Sequence, residues 1–238
     1  MLYALIILIC GPLPYLLLGW PLIALRGGKE GTAWLAPLSG CFLAGWLGQL
    51  SLILNVDSRL IVAFALTVGL ALAFVRASAL RSLRQPVIYL YAIYSVTVGI
   101  VLVSPCPATG CWVNDWHQQF IAGEAIRERH VNPPARLPML QRPPLFAAAS
   151  LLVQPMGPDV HGFMVYSAVV GAAAALTLVH ASILRFRRPL TLRHLTPLVI
   201  SPFLLLHVIT AWPKLLAAGC VVASIAYASE YRTTARLC

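Results

Sequence analysis

Acidic side chains are the scarcest feature of this sequence: seven in 238 residues, against 17 basic ones. Charged residues make up only 10% of the chain, where a soluble domain carries about 25%. That excludes an ordinary water-facing surface, and the mean hydropathy of +0.84 agrees. The chain also has no internal repeat, no sustained heptad pattern and no low-complexity tract, which excludes solenoids and coiled coils. No basic stretch precedes the first apolar run, so the N-terminus reads as a retained helix and not as a cleaved signal peptide. There is no nucleic-acid motif. The net charge of +10 comes from short basic clusters between apolar runs, where such residues set membrane orientation.

What is present is a succession of apolar runs. A span needs about 20 such residues to cross ~30 Å of hydrocarbon. The runs are Leu2–Leu25, Ala33–Leu54, Leu60–Val75, Val87–Ser104, Phe163–Leu184, Leu195–Ala211 and Leu215–Ser229. A shorter run, Leu145–Val153, is too short to span. Gln154, Pro155, Gly157, Pro158 and Asp159 close it off, and it reads as a half-inserted or surface helix. The expected fold class is therefore an all-α polytopic membrane protein. It has about seven transmembrane helices plus interfacial helices in one long outer loop.

Arginine and lysine orient it. Arg26 and Lys29 separate the first two runs, and Arg76, Arg81 and Arg84 separate the third and fourth. Arg185, Arg187, Arg188 and Arg193 follow the fifth, and Arg232 and Arg236 follow the last. These segments are expected inside, with the C-terminus cytoplasmic. The N-terminus and the loop 105–162 are expected outside. A bacterial inner or plasma membrane is the expected location, with membrane lipids as surroundings and no nucleic acid as partner.

The loop is where chemistry would sit. It begins Pro105-Cys106-Pro107-Ala108-Thr109-Gly110-Cys111 and carries Asp115, His117, Glu124, Glu128 and His130 before Arg142-Pro143-Pro144. A connection this long is uncommon unless functional or disordered. Residues 115–129 have the pattern of an amphipathic helix, with Trp116, Phe120, Ile121 and Ile126 apolar and Asn114 or Asp115 as N-cap. The plainer reading of that pattern is an interfacial helix and nothing more. Turn residues between Cys106 and Cys111 leave room for a disulfide in an oxidising compartment; two free thiols are the alternative. His117 and His130 match no tight metal-ligand spacing around Asp115. His180, His207 and Gln49 lie within apolar runs, where hydrogen bonds between helices are the expected role.

An acidic residue just after a span, a glutamate nine residues on, a proline-rich stretch and then Arg142-Pro143-Pro144-Leu145-Phe146 opening an apolar helix form a recognisable order. It resembles the first outer loop of the GT-C membrane glycosyltransferases, which include protein O-mannosyltransferases and lipid A aminoarabinose transferases. The resemblance covers residues 87–229. It implies residues 1–86 as an N-terminal three-helix extension and 87–238 as a partial GT-C-like core. It also implies transfer of a sugar from a polyprenyl-phosphate carrier to an acceptor on the outer face. Asp115 would be the general base. Glu124 would bind acceptor or metal, or fix Asp115, and His117 would line the substrate site. Arg142 and Lys214 would hold the lipid phosphate, the first as a fork and the second as a point charge. A divalent ion serves some relatives, so metal dependence stays open. The family continues with further spans, so Cys238 is expected to end an N-terminal portion, or one half of a split enzyme with a partner subunit. Two other classes stand beside this one. A non-catalytic membrane scaffold needs the spans without convergent acid and base. A transporter fragment would need charge or broken helices within the spans.

Overall fold

A computed structural model describes residues 9–24, 33–75, 77–103, 120–124, 160–184, 190–197, 201 and 213–235. Among them there is no strand. Six α-helices carry the architecture: α1 (Leu13–Ala24), α2 (Ala36–Ile53), α3 (Ser58–Val75), α4 (Arg84–Val103), α5 (Val160–Leu184) and α6 (Pro213–Ala235). Two 3₁₀ segments, Ala77–Leu83 and Leu192–Leu195, join them at one end.

Contacts fix the directions. Gly19 of α1 lies against Ala36 and Gly40 of α2, and Gly40 against Tyr15, so α1 and α2 are antiparallel. Trp34, just before α2, meets Tyr89 near the start of α4 and His180 near the end of α5. Hence α2 and α4 run together and α5 runs against them. Ala73, near the end of α3, packs on the cluster formed by Trp20, Ile23, Ala33, Leu35, Ala36 and Leu83. One end of the bundle therefore gathers the ends of α1, α3 and α5 and the starts of α2 and α4. In sequence, the segments leaving this end carry most of the basic residues and include Arg81, Arg84 and Arg193.

α5 is the hub, packed by α2, α4 and α6. Its middle is built from small residues, and Ala172, Ala173, Ala174 and Leu176 are fully buried. Small side chains let backbones approach where apolar burial against lipid supplies no drive. The closest approach is α1 on α2. A Cβ at Gly19 would overlap the Ala36 carbonyl oxygen, and one at Gly40 the Tyr15 carbonyl oxygen. Gly69 brings α3 within 2.5 Å, measured from the position of a Cβ, of the Leu17 carbonyl oxygen.

The α2–α3 connection is tight. The Val56 amide donates to the Ser51 carbonyl at 3.0 Å, and Asn55 sits at φ 51°. That left-handed residue after a helix is the place for glycine or asparagine. Asp57 then caps α3, its Oδ1 accepting from the Arg59 amide at 2.9 Å. Asn55→Val is expected to destabilise the fold by about 1–2 kcal/mol, because a β-branched side chain resists this conformation. Asn55→Gly is expected to leave it unchanged. Thermal unfolding in detergent separates the two.

The all-helical expectation holds. The count of seven full spans goes beyond what the described helices carry. Val165–Ile183 is the one helix among them that is long and apolar enough by itself to cross a membrane. Arg59–Val75 and Leu80–Ile100 qualify only when taken together, and they meet at 114°. The described part of the first expected span is interrupted. Gly11 and Pro12 bend the chain, leaving α1 at 12 residues, a rise of about 18 Å. The apolar part of α6 is also short, Lys214–Ala226, because Glu230 and Arg232 follow. Most of Leu195–Ala211 lies outside the described residues.

Candidate functional site

Two of the residues assigned to the expected sugar-transfer site, Glu124 and Lys214, are described. Glu124 is half-buried, and residues 120–124 are helical. Phe120 packs against the main core, and Gly123 is buried. The apolar side expected of this helix is therefore spent on the bundle at Phe120, which holds Glu124 close to it. Lys214 stands exposed in the first turn of α6. Pro213 opens that helix, where its missing amide costs nothing. Leu215 and Leu216, both buried, fix the turn and set the ammonium outward.

Asp115, His117, Arg142, Cys106 and Cys111 lie outside the described residues, as do His130, His207 and the Leu145–Val153 run. Among the described residues no group of three or more histidine, cysteine or carboxylate side chains is arranged to hold a metal. The loop nevertheless has fixed exits. It leaves α4 at Val103 and returns at Val160 of α5, both on the end of the bundle opposite the arginine-bearing segments.

At that arginine-bearing end the structure builds a cluster that sequence reasoning did not foresee. His180 stacks on Trp34, with ring centroids 4.8 Å apart and planes inclined by 15°. Tyr89 tilts onto Trp34 as well, with centroids 5.4 Å apart. The Tyr89 hydroxyl donates to the Leu190 carbonyl at 3.2 Å, tying the segment after α5 to the start of α4. For His180 a hydrogen bond between helices was the expected role; a ring stack is what the fold provides. Gln49 departs from the same expectation, since its buried Nε2 has no hydrogen-bond partner. The missed signal was positional. Trp34, Tyr89 and His180 each fall within a few residues of a predicted helix end on the same side, and such rings are expected to meet there.

The bundle is aromatic further along its length too. Tyr15 lies 6.3 Å from Tyr166, and Tyr91 meets Tyr94 edge-on at 6.2 Å. The Tyr91 hydroxyl donates to the Ile9 carbonyl at 2.6 Å. Tyr15, Tyr94 and Tyr166 are fully buried. Ser167, beside Tyr166, keeps a buried Oγ with no partner. These groups make a polar-tipped core below the loop's exits.

No known protein family, curated protein or solved structure matches the chain.

Proposed function

We propose that this chain is a polytopic membrane protein of about seven spans that carries a GT-C-like sugar-transfer site in its outer loop. The observation that carries the membrane part is the outer surface of the bundle. α3 presents Leu60, Phe64, Val68, Leu70, Phe74 and Val75 outward along its whole length, with Phe64 72% exposed. α4 does so with Ile88, Val96 and Ile100, and α6 with Val221 and Ile225. α5, meanwhile, is buried. Large apolar side chains outside and small ones inside suit a lipid solvent and not water. The helix hydroxyls agree. Thr67, Ser182 and Ser224 are exposed, yet each donates to the carbonyl four residues back in its own helix, at 2.8 Å. A hydroxyl satisfied in this way needs no water.

Phe64→Arg tests this part. In a bilayer it adds a cost of about 3 kcal/mol to placing α3, so less protein is expected in the membrane fraction after alkaline extraction. Phe64→Leu is expected to be neutral. A Phe64→Arg protein that gains solubility and stability in buffer would sink the membrane reading.

The sugar-transfer part rests on the order Asp115, Glu124, Arg142-Pro143-Pro144 and on the loop's placement. Eleven of the 17 basic residues fall outside this loop in the short segments after the first, third, fifth and last apolar runs, a bias that supports an outer-face loop by the positive-inside rule. In the proposed reaction an acceptor hydroxyl attacks the anomeric carbon of a polyprenyl-phosphate sugar. Asp115 takes the hydroxyl proton as the new C–O bond forms. The bond from the anomeric carbon to the phosphate oxygen breaks, and Arg142 and Lys214 balance the charge left on the lipid phosphate. Glu124 binds the acceptor or orients Asp115, and His117 lines the same cavity. The test is direct: purified protein in vesicles containing polyprenyl-phosphate-linked hexose or aminoarabinose, with release of free polyprenyl phosphate followed by mass spectrometry. Release no faster than in protein-free vesicles, with and without added divalent cations, would remove the transferase reading and favour a scaffold.

A further inference from the structure

The arginine-bearing end contains a device that the sugar-transfer reading does not use. Between α3 and α4 the chain turns through the 3₁₀ segment Ala77–Leu83, and the helices on either side meet at 114°. Leu83 anchors this elbow from below, buried with Trp20, Ile23, Leu35 and Ala36. The side chains on its outer surface are of two kinds. Arg81 and Arg84 are exposed, and Leu80, beside Arg81, is an exposed large apolar residue. A second basic segment is fastened next to it. The Tyr89 hydroxyl holds the Leu190 carbonyl at 3.2 Å, five residues along α4 from Arg84. Leu190 and Leu195 are buried at either end of the Thr191–His194 turn. Within that turn the Thr191 amide donates to His194 Nδ1 at 2.9 Å, and Arg193 is left exposed. Two short, internally fixed turns thus present Arg81, Arg84 and Arg193 on the same end of the bundle.

We propose that this end is a docking surface for anionic phospholipid headgroups, with the elbow as its centre. Charge complementarity selects the occupant. Among the described residues at this end, Arg81, Arg84, Arg193 and Arg232 are accompanied by one acidic residue, Glu230. A guanidinium fork matches the two free oxygens of a phosphodiester. An apolar side chain adjacent to it fits the boundary between headgroup and acyl chain, where amphipathic turns settle. A zwitterionic headgroup brings its own cation and gains less from such a surface. The proposal rests on the membrane reading above and is independent of sugar transfer.

The test uses the full chain in nanodiscs of mixed phosphatidylglycerol and phosphatidylcholine, with native mass spectrometry counting the lipids retained on the released protein. Wild type is expected to retain phosphatidylglycerol in clear excess over its share of the disc. Arg81→Gln with Arg84→Gln and Arg193→Gln is expected to lose that preference by tenfold or more, as follows from roughly fivefold per basic residue at an anionic surface. The corresponding triple lysine variant is expected to keep most of it, which separates lost charge from lost fold. Arg59→Gln, at the opposite end, is expected to change nothing. Inorganic phosphate is expected not to displace the lipid. Equal retention of the two lipids by wild type would overturn the proposal. So would an unchanged preference in the glutamine variant, a lysine variant as defective as the glutamine one, an equal loss in Arg59→Gln, or displacement by phosphate. Failure of the chain to enter nanodiscs at all would instead strike the membrane reading on which the proposal rests.

Discussion

Gly40→Leu is expected to prevent assembly of the bundle, with little folded protein surviving extraction into mild detergent. The reason lies in backbone contact. A single carbon added at Gly40 would already overlap the carbonyl oxygen of Tyr15, and Gly19 faces Ala36 across the same seam. The obstacle is a main chain that cannot swing aside, so α1 and α2 would have to separate. That would open the core around Tyr15, Leu38 and Cys41, all buried. Overpacking a core ordinarily costs about 1–3 kcal/mol, but there the intruded-on atoms are mobile side chains. Here the seam between two helices is lost, and the effect is expected at or above the upper end. Gly99 is the internal control, because a Cβ there meets nothing within 4 Å. Gly99→Ala is expected to be neutral or slightly stabilising, since alanine favours helix over glycine by about 1 kcal/mol. Size-exclusion profiles and thermal unfolding of the three proteins in one detergent give the comparison. A monodisperse, wild-type-like Gly40→Leu would mean that α1 and α2 do not cross as described.

The second large effect is expected at Asp115. If it removes the acceptor proton, Asp115→Ala should lower sugar transfer by about 10²–10⁴-fold, the range for loss of a positioned general base. Asp115→Asn should be nearly as damaging, because an amide keeps the shape but cannot take a proton. Both proteins should keep the wild-type melting temperature. The plainer role of Asp115, as N-cap of an interfacial helix, predicts a different pair of results. Asparagine caps as well as aspartate, and losing the cap costs about 1 kcal/mol of stability. Under that role Asp115→Asn would be silent and Asp115→Ala would lower the melting temperature while sparing transfer. The asparagine variant therefore decides between the two.

How far the sequence could be read depended on the kind of signal. Helices were legible because apolar runs bounded by arginine, proline and glycine leave few alternatives, and each described helix falls within or across an expected run. Their completeness was not legible. Hydropathy is blind to a break such as the one at Gly11 and Pro12, which separates helical Ile9 and Cys10 from α1 within the expected run Leu2–Leu25. The gathering of basic segments at one end was legible from charge alone. The ring stack of His180 on Trp34 was not, because it depends on the register of two helices separated by more than a hundred residues. At the site, the amphipathic pattern anticipated Phe120 as an apolar anchor, and it meets the core. Nothing in that pattern could say where Glu124 lies relative to Lys214, because that depends on the packing of α6 against α5.

The burial of α5 has a consequence for the order in which the bundle can be made. During synthesis α1 to α4 leave the ribosome first. With α5 absent they would hold an open trough, its walls including Leu90, Tyr94 and Val98 of α4, which are buried in the finished core. α5 is the filling of that trough, and its alanines cannot shield themselves against lipid by size. Its remaining side closes only when Gly219 of α6 comes to rest against Ala174. A chain that ends between α5 and α6 would thus leave a strip of small residues around Ala174 uncovered.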